Sequence, residues 1–439
     1  MQASVENLGQ LQRRLNMVLP LDKIDNEVEN RLKRLARSVK LHGFRPGKVP
    51  FKIVVQQYGP QVRQEVLGDA LQKSFSEVVR EQNLRVAGYP KFEAKTAQAG
   101  GQQFEYTATF EVYPEVKVGE VNRAAITRPL VDIGDTQVEK TLEILCKQRA
   151  TYQTVEREAR ERDQVTIDFH GKLGEEDFPG GQGTNLATVL GDKRLLPDFE
   201  KKIAGMRANE TKTFELTFPA DYHGKEVAGK TAVFELVLKR VAEPKLPEMD
   251  AEFARSLGIA DGDLEKLKRV IRDNLQKEAG DRIQARIKDQ AMQALLDGTQ
   301  VDLPQSLVEM EVHRLMDNAR RDLEARGVKT RDLQLPHDLF ETQAKRRVAL
   351  GLIISELAKL HDLHPKPEQV RARVDEHAQS YEHPEQVVKW YYSEPGRLNN
   401  VEALVLEDNV VTWVMNRIKV EEKAMLFDEL MGNANDAKS

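Results

Sequence analysis

The sequence predicts a multidomain α+β protein. A small α+β module comes first, a β-rich module with one short helix second, and a long all-α region last. Three observations carry this expectation. A chain of 439 residues is long for a single domain. Its hydrophobic period changes along the chain, settling at two after Val165 and at steps of three and four after Leu264. Charged residues make up 31% and aromatic residues only 6%, which suits long helices with much solvated surface better than one thick core.

Taken in order, LQRRLNMVLP at 11–20 alternates loosely and ends at Pro20, as a strand does. Asp22 then opens a helix whose apolar face is Ile24, Val28, Leu32, Leu35 and Val39. Asp25, Glu27 and Glu29 precede Arg31, Lys33, Arg34, Arg37 and Lys40, an order that complements the helix dipole. Gly43 is expected to cap that helix in the left-handed conformation. The loop GFRPGKVP, 43–50, follows. Pro50 starts a short segment, and a second helix is expected from Gln61 to Gln82. Phe104 to Pro114 alternates at period two and predicts a strand, closing a module over 1–112. A connector, 113–149, leads through a charged helix starting at Asp135.

The β-rich module, 150–243, holds the strands VTIDFHGKL, TKTFELTFP and TAVFELVLKRV, with PGGQG expected as a Gly-rich turn. The Pro-spaced EPKLPE, 243–248, predicts a linker. Residues 244–439 are helical. Leu264, Leu267, Ile271, Leu275, Ala279, Ile283, Ile287, Ala291 and Leu295 make one long stripe. DGTQVDLP at 297–304 breaks it, and Pro304 starts the next helix. Further helices are expected near 305–325, 338–361, 366–380, 384–392 and 400–415, with NANDAKS at the end disordered.

Charge is uneven. The net charge is −5, yet residues 1–60 carry eleven Lys and Arg against five Asp and Glu. A basic module on an acidic body suggests a polyanionic partner at one end. The basic helix beside GFRPGKVP points to a phosphate-rich surface, with Phe44 adding a packing contact; a solvated helix connection is the plainer alternative. The single cysteine, Cys146, allows no disulfide within the chain and fits a reducing compartment. The N-terminus lacks the apolar core of a signal peptide, and the run Val348 to Ile354 is too short to span a membrane. A soluble cytoplasmic protein with no membrane partner is expected. The nine His give no metal set, and GGQG at 180–183 lacks the Gly-Lys-Ser/Thr of a phosphate loop. No metal, cofactor or ATPase motif is therefore expected.

The β-rich module resembles the FKBP family of peptidyl-prolyl isomerases over about 90 residues. VTIDFHG, an acidic turn ending in Phe178, VLGDKRLLPDFEKKIAGM, FPADYHG and TAVFELVL occur in that family's order. The resemblance implies an FKBP-like β-sheet with a short helix and an apolar catalytic cup. Its aromatics fall on Phe169, Phe178, Phe199 and Phe234, its aliphatic floor on Leu195 and Leu196, and its pocket tyrosine on Tyr222. Leu186 takes a position often held by Phe. The family's Asp after Phe178 is Pro179 here, and its floor Trp is Phe199, which weakens the expectation of macrolide binding.

The whole chain resembles the bacterial trigger factor family, through GFRPGKVP after a basic amphipathic helix, then an FKBP-like module, then a long helical region. The resemblance implies docking by Gly43, Phe44, Arg45, Pro46, Gly47 and Lys48 on the large ribosomal subunit, against an exit-site ribosomal protein and nearby rRNA. Pro46 replaces a residue that is often Lys, removing a charge and stiffening the tip. It further implies a helical client-binding region with two arms, nascent and unfolded polypeptides as clients held without ATP, and a homodimer off the ribosome. Met292, Met310, Met316, Met415 and Met425 are candidates for an adaptable client surface. Two rival readings are a free FKBP-type enzyme with accessory helices and an RNA-binding adaptor with a degenerate isomerase.

Overall fold

A computed structural model describes residues 3–42, 44, 49–95, 103–121, 125–174, 176–192, 194–220, 222, 224, 226–328, 330, 333 and 335–432. The chain forms two compact units, residues 1–128 with 284–423, and residues 129–283 with 424–439. One of the three chain crossings between them falls within a long helix, α6 (Leu264–Gly298).

The first unit opens with β1 (Ala3–Asn7), β2 (Gln12–Pro20), α1 (Leu21–Ser38), α2 (Phe51–Glu81), β3 (Val86–Ala94) and β4 (Gln103–Val112). The strands form an antiparallel sheet in the order β1-β2-β4-β3. Leu15, Met17, Leu19, Tyr106, Ala108 and Phe110 of the sheet share a core with Ile24, Leu32, Val54, Val62, Val66, Phe75 and Val78 of the helices. The expected face of α1 is in that core, but the helix ends at Ser38, short of Gly43. Val39 turns extended (φ −62°, ψ 135°) and tucks into the core, so it closes the helix rather than prolonging its face. α2 begins ten residues earlier than the sequence suggests and contains Pro60. A proline inside a helix costs about 3 kcal/mol; the buried Val54, Val62 and Val66 on either side of it offset that cost.

β5 (Ala125–Leu130) pairs with β11 (Lys419–Ala424). α7 (Gln305–Ala325) and α8 (Asp338–His361) pack through Val308, Val312, Leu315 and Ala344. α9 (Pro367–Ala378), α10 (Pro384–Tyr392) and α11 (Pro395–Met415) pack through Val370, Val374, Val388, Val401 and Val405. The N-terminal sheet is tied to α7 within this unit. Pro304 leaves the α7 N-terminus without a side-chain cap of its own. The Glu111 carboxylate of β4 supplies one, accepting from Gln305 N–H at 3.1 Å, Ser306 N–H at 2.7 Å and the Ser306 hydroxyl at 2.6 Å. Gly88 of β3 has φ +73°, and a side chain there would strike Ser306, so the strand can lie against the helix only as glycine.

The second unit contains α3 (Asp135–Gln148), β6 (Thr151–Val155), β7 (Gln164–Leu173), β8 (Glu176–Val189), α4 (Pro197–Ile203), β9 (Glu210–Thr217), β10 (Thr231–Lys245), α5 (Ala251–Ser256) and α12 (Phe427–Leu430). Its antiparallel sheet runs β6-β10-β7-β8, with β9 on β10. Two expectations are corrected. PGGQG is not a turn: Gly180 to Gly183 lie inside β8. EPKLPE is only partly a linker, since Glu243, Pro244 and Lys245 pair with β6. A separate core joins Val138, Leu142 and Cys146 of α3 to Phe253, Leu267, Ile271 and Leu275. The α6 stripe is thus core for most of its length rather than open surface. Among the described residues, no helix is long and apolar enough to cross a membrane.

Candidate active site

α4 carries Phe199 under the sheet of the second unit. Pro197 starts this helix, and Leu195 and Leu196 lead into it. Phe199 is 5% exposed, and its ring lies 5.3 Å edge-on from that of Phe234 on β10, itself 4% exposed. Phe169 of β7 stands 5.8 Å from Phe199. Phe178 of β8 meets Phe234 edge-on at 6.1 Å. Such edge-to-face pairs are worth about 0.5–1.5 kcal/mol each beyond area burial. Phe199 and Phe234 therefore form a covered floor. Phe169, Phe178, Leu195, Leu196 and Tyr222 pack on it half-buried, each with a face left to solvent. Leu186 is 37% exposed on the edge strand and lies outside that packed set.

Sequence reasoning missed Phe214 and Phe218. Phe214 contacts Phe199 at 5.3 Å, and Phe218 contacts Phe178 at 5.9 Å and Tyr222 at 4.9 Å. Their signal was available: Phe214 and Leu216 alternate toward the core along β9, and Phe218 continues the pattern. It also missed what the glycines of β7 and β8 do. A side chain on Gly171 would strike the ring of Phe234, one on Gly183 would lie 2.5 Å from Phe169, and one on Gly181 3.0 Å from Phe178. Three glycines thus leave room for three aromatic ring edges against the backbone, and two of them, Gly181 and Gly183, belong to GGQG.

Polar groups hold the outer face of this sheet. The His170 imidazole contacts the Asp177 carboxylate at 2.7 Å and the Gln182 amide at 2.9 Å, joining β7 to β8. His170 holds the Asp177 carboxyl below its ordinary range. Lys239, then the Asn185 amide, do the same for Asp168. Buried Asp163 accepts both arms of Arg157, at 2.5 and 2.9 Å, and the Arg160 amide at 2.9 Å. None of these groups touches the aromatic floor in a nucleophile–base arrangement. The chemistry on offer is an apolar surface.

Gly43, Arg45, Pro46, Gly47 and Lys48 lie outside the described residues. Phe44 is 38% exposed, its N–H bonded to Leu41 O at 3.1 Å, and buried Val39 and Val49 anchor the chain on either side. Part of the positive charge of α1 is neutralised internally: Arg31 bonds Asp69 at 2.7 Å, and Lys33 bonds Glu29 at 2.7 Å.

In the first unit, Tyr113, Pro114 and Val116 line a groove of about 490 Å³ with Leu307 and Met310 of α7 and Val348 and Leu352 of α8. Of the candidate methionines, Met310 is exposed, Met292 is buried, and Met316, Met415 and Met425 are half-buried. The His361 ring lies tilted against Trp413, with centroids 4.7 Å apart. His337, Asp338 and Glu341 bring ligand atoms within 4.8 Å of one another, but Glu341 is engaged by Lys345 at 2.6 Å.

The fold and the site define an FKBP-type peptidyl-prolyl isomerase domain set in a larger, mainly helical chain. Family models agree: one for FKBP-type peptidyl-prolyl cis-trans isomerase matches residues 155–239, and models for bacterial trigger factor protein and its C-terminus match 1–145 and 263–416. The trigger factor of Nitrosospira multiformis is 56% identical over 99% of this chain and 100% of its own length. That of Laribacter hongkongensis is 52% identical over the same shares. A solved structure described as showing promiscuous substrate recognition by the trigger factor chaperone covers 95% of this chain and 100% of its own, with a TM-score of 0.45 and 17% identity. The chain belongs to the trigger factor family, and it is a chaperone with an FKBP-type peptidyl-prolyl isomerase activity.

Proposed function

We propose that this chaperone works without ATP at the ribosomal nascent-chain exit and isomerises X-Pro bonds at the aromatic site of its second unit. Phe169, Phe178, Leu186, Leu195, Leu196, Phe199, Tyr222 and Phe234 form that site. The observation that carries the reading is the covered floor of Phe199 and Phe234 beneath half-buried rings. Rotation about a peptide bond costs about 18–20 kcal/mol because resonance is broken. The planar amide is more polar than the twisted one, so an apolar surface that excludes water favours the twisted form without a nucleophile. Phe199→Ala should slow catalysis of a proline-limited refolding reaction by the full chain, with a stability loss of about 3–5 kcal/mol. Unchanged catalysis in a folded variant rejects the site.

Family membership carries the expectation of the ribosome and nascent chains as partners. In our reading, residues 1–112 bind the ribosome, 113–149 connect, 150–243 isomerise and 244–439 hold clients. The tip from Gly43 to Lys48 docks on the large subunit, against an exit-site protein and rRNA, in the cytoplasm, and the free protein forms a homodimer. Support comes from the excess of basic residues in 1–60 and from Phe44, exposed between two buried anchors. Ribosome co-sedimentation tests it. Joint replacement of Phe44, Arg45 and Lys48 by Ala should abolish binding, and retained binding rejects the docking role.

A further inference from the structure

Two irregularities flank β7 at the same level. On the β8 side, Ile167 pairs with Leu186 but Phe169 pairs with Gly183, so Thr184 and Asn185 both stand opposite Asp168. On the β10 side, Ile167 pairs with Leu238 and Thr166 with Arg240, leaving Lys239 as the extra residue. Asn185 has φ +51°, a left-handed conformation that few non-glycine residues adopt and that asparagine tolerates best. What holds it is Asp168. One carboxylate oxygen accepts the Asn185 N–H at 2.6 Å, and the other takes the Lys239 ammonium at 2.6 Å. Lys239 also donates to the Asn185 side-chain oxygen at 2.8 Å. Three side chains stitch three strands together.

The extra residue in β8 changes which side chains face the aromatic site. Before it, Gly181 and Gly183 face inward and Gln182 and Thr184 outward; after it, Thr188 and Leu190 are buried and Ala187 is exposed. With no bulge, Asn185 would pair with Ile167 and stand on the inner face. The bulge places Leu186 there instead, on the edge strand, one register step from Phe169 and still 37% exposed.

We propose that Asp168 is a positioning residue of the isomerase: by holding the Asn185 bulge it sets Leu186 at the mouth of the aromatic site, where Leu186 selects substrates with an apolar side chain before the proline. This rests on the isomerase site assigned above. The loss of Asp168 leaves Asn185 free to return to an extended conformation and turns Leu186 away.

The test is a peptide isomerase assay on the full chain, with Ala-Leu-Pro-Phe and Ala-Glu-Pro-Phe as substrates. The unaltered protein prefers the Leu peptide. Asp168→Ala reduces the Leu-to-Glu ratio of kcat/KM about five-fold, the worth of roughly 40 Å² of apolar surface kept from water. The loss falls on KM more than on kcat. Asp168→Asn, whose carboxamide oxygen still accepts the Asn185 N–H, restores the ratio, and Leu186→Ser loses it with the stitch intact. Should Asp168→Ala unfold by circular dichroism, Lys239→Met carries the same expectation at smaller amplitude. A folded Asp168→Ala or Lys239→Met with the original ratio, or a Leu186→Ser without effect, overturns the inference alone. Absence of activity on both peptides in the unaltered protein overturns the isomerase site and the inference together.

Discussion

Replacing Gly183 with Ala adds one methyl group to the edge of the aromatic site. The new Cβ lies 2.5 Å from Cε1 and 2.8 Å from Cζ of Phe169. Carbon atoms settle at about 3.5–4.0 Å, so the ring edge has to retreat by about 1 Å. Phe199 and Phe234, at 5.8 and 6.2 Å between ring centroids, block retreat toward the floor, and the ring is driven toward solvent. Gly183 is not in the left-handed region, so Ala adds no backbone strain and the clash is isolated. Overpacking of this kind costs about 1–3 kcal/mol of stability. A displacement of about 1 Å in a site lowers turnover by up to about 100-fold; without a reacting side chain to misalign, we expect about tenfold. Peptide isomerase activity and urea denaturation of the full chain measure both effects. In a Phe169→Ala background the ring is gone, and Gly183→Ala should then be nearly silent in both assays. Equal losses in the two backgrounds would refute ring displacement as the cause.

Three other outcomes follow from the polar contacts. Glu111→Gln or Ser306→Ala should loosen the first turn of α7 by about 1–2 kcal/mol, seen as faster amide hydrogen exchange at Gln305 and Ser306. Asp163→Ala strips Arg157 of its bidentate partner and leaves it Glu243 at 3.2 Å and the Glu158 carbonyl at 3.0 Å; a loss of about 2–3 kcal/mol in urea denaturation is expected. The Asp168 carboxyl titrates below its ordinary value in the folded state, so its stabilisation is complete above that ordinary value and is lost as pH falls through the lowered one. The Asn185 amide should therefore keep its bonded chemical shift near neutral pH and lose it only below about pH 4; an amide that shifts between pH 5 and 7 would argue against this.

Much of the architecture is legible because it rests on local periodicity. The stripe from Leu264 to Leu295 became one helix, and FEYTATFEV became β4. The floor and rim aromatics came together because the order of their segments was recognisable. What escaped depends on contacts between residues distant in sequence. Pro60 reads as a helix boundary until the burial of Val62 and Val66 is known. The glycines of GGQG read as a turn because the reason for two of them is a ring: Phe169 of the next strand at Gly183 and Phe178 of the same strand at Gly181. Glu111 capping α7 joins residues 195 apart, and no local pattern announces it. The bulge at Asn185 has the same character, since its cause is a carboxylate on the next strand.

The helical region bears on how one protein can hold many chains. Its strongest apolar periodicities are spent on its own core: Leu267, Ile271, Leu275, Ile287 and Leu295 are all buried. If this region holds clients as proposed, the apolar surface left for them lies off the stripes, at Met310, Leu339, Leu360, Leu404 and the Trp390–Tyr392 pair, which are exposed. Around the groove at Met310 an apolar floor is ringed by charges of both signs, Arg85, Arg314 and Lys359 with Glu311 and Glu356. A continuous apolar face would bind tightly and collapse on itself or on a second copy. Dispersed apolar points between paired charges give weak contacts that different sequences can satisfy in different combinations, with a flexible thioether at the centre of one of them. Weak, interchangeable contacts also release without an energy source, so under the proposed client-binding role the same surface would serve for holding and for letting go.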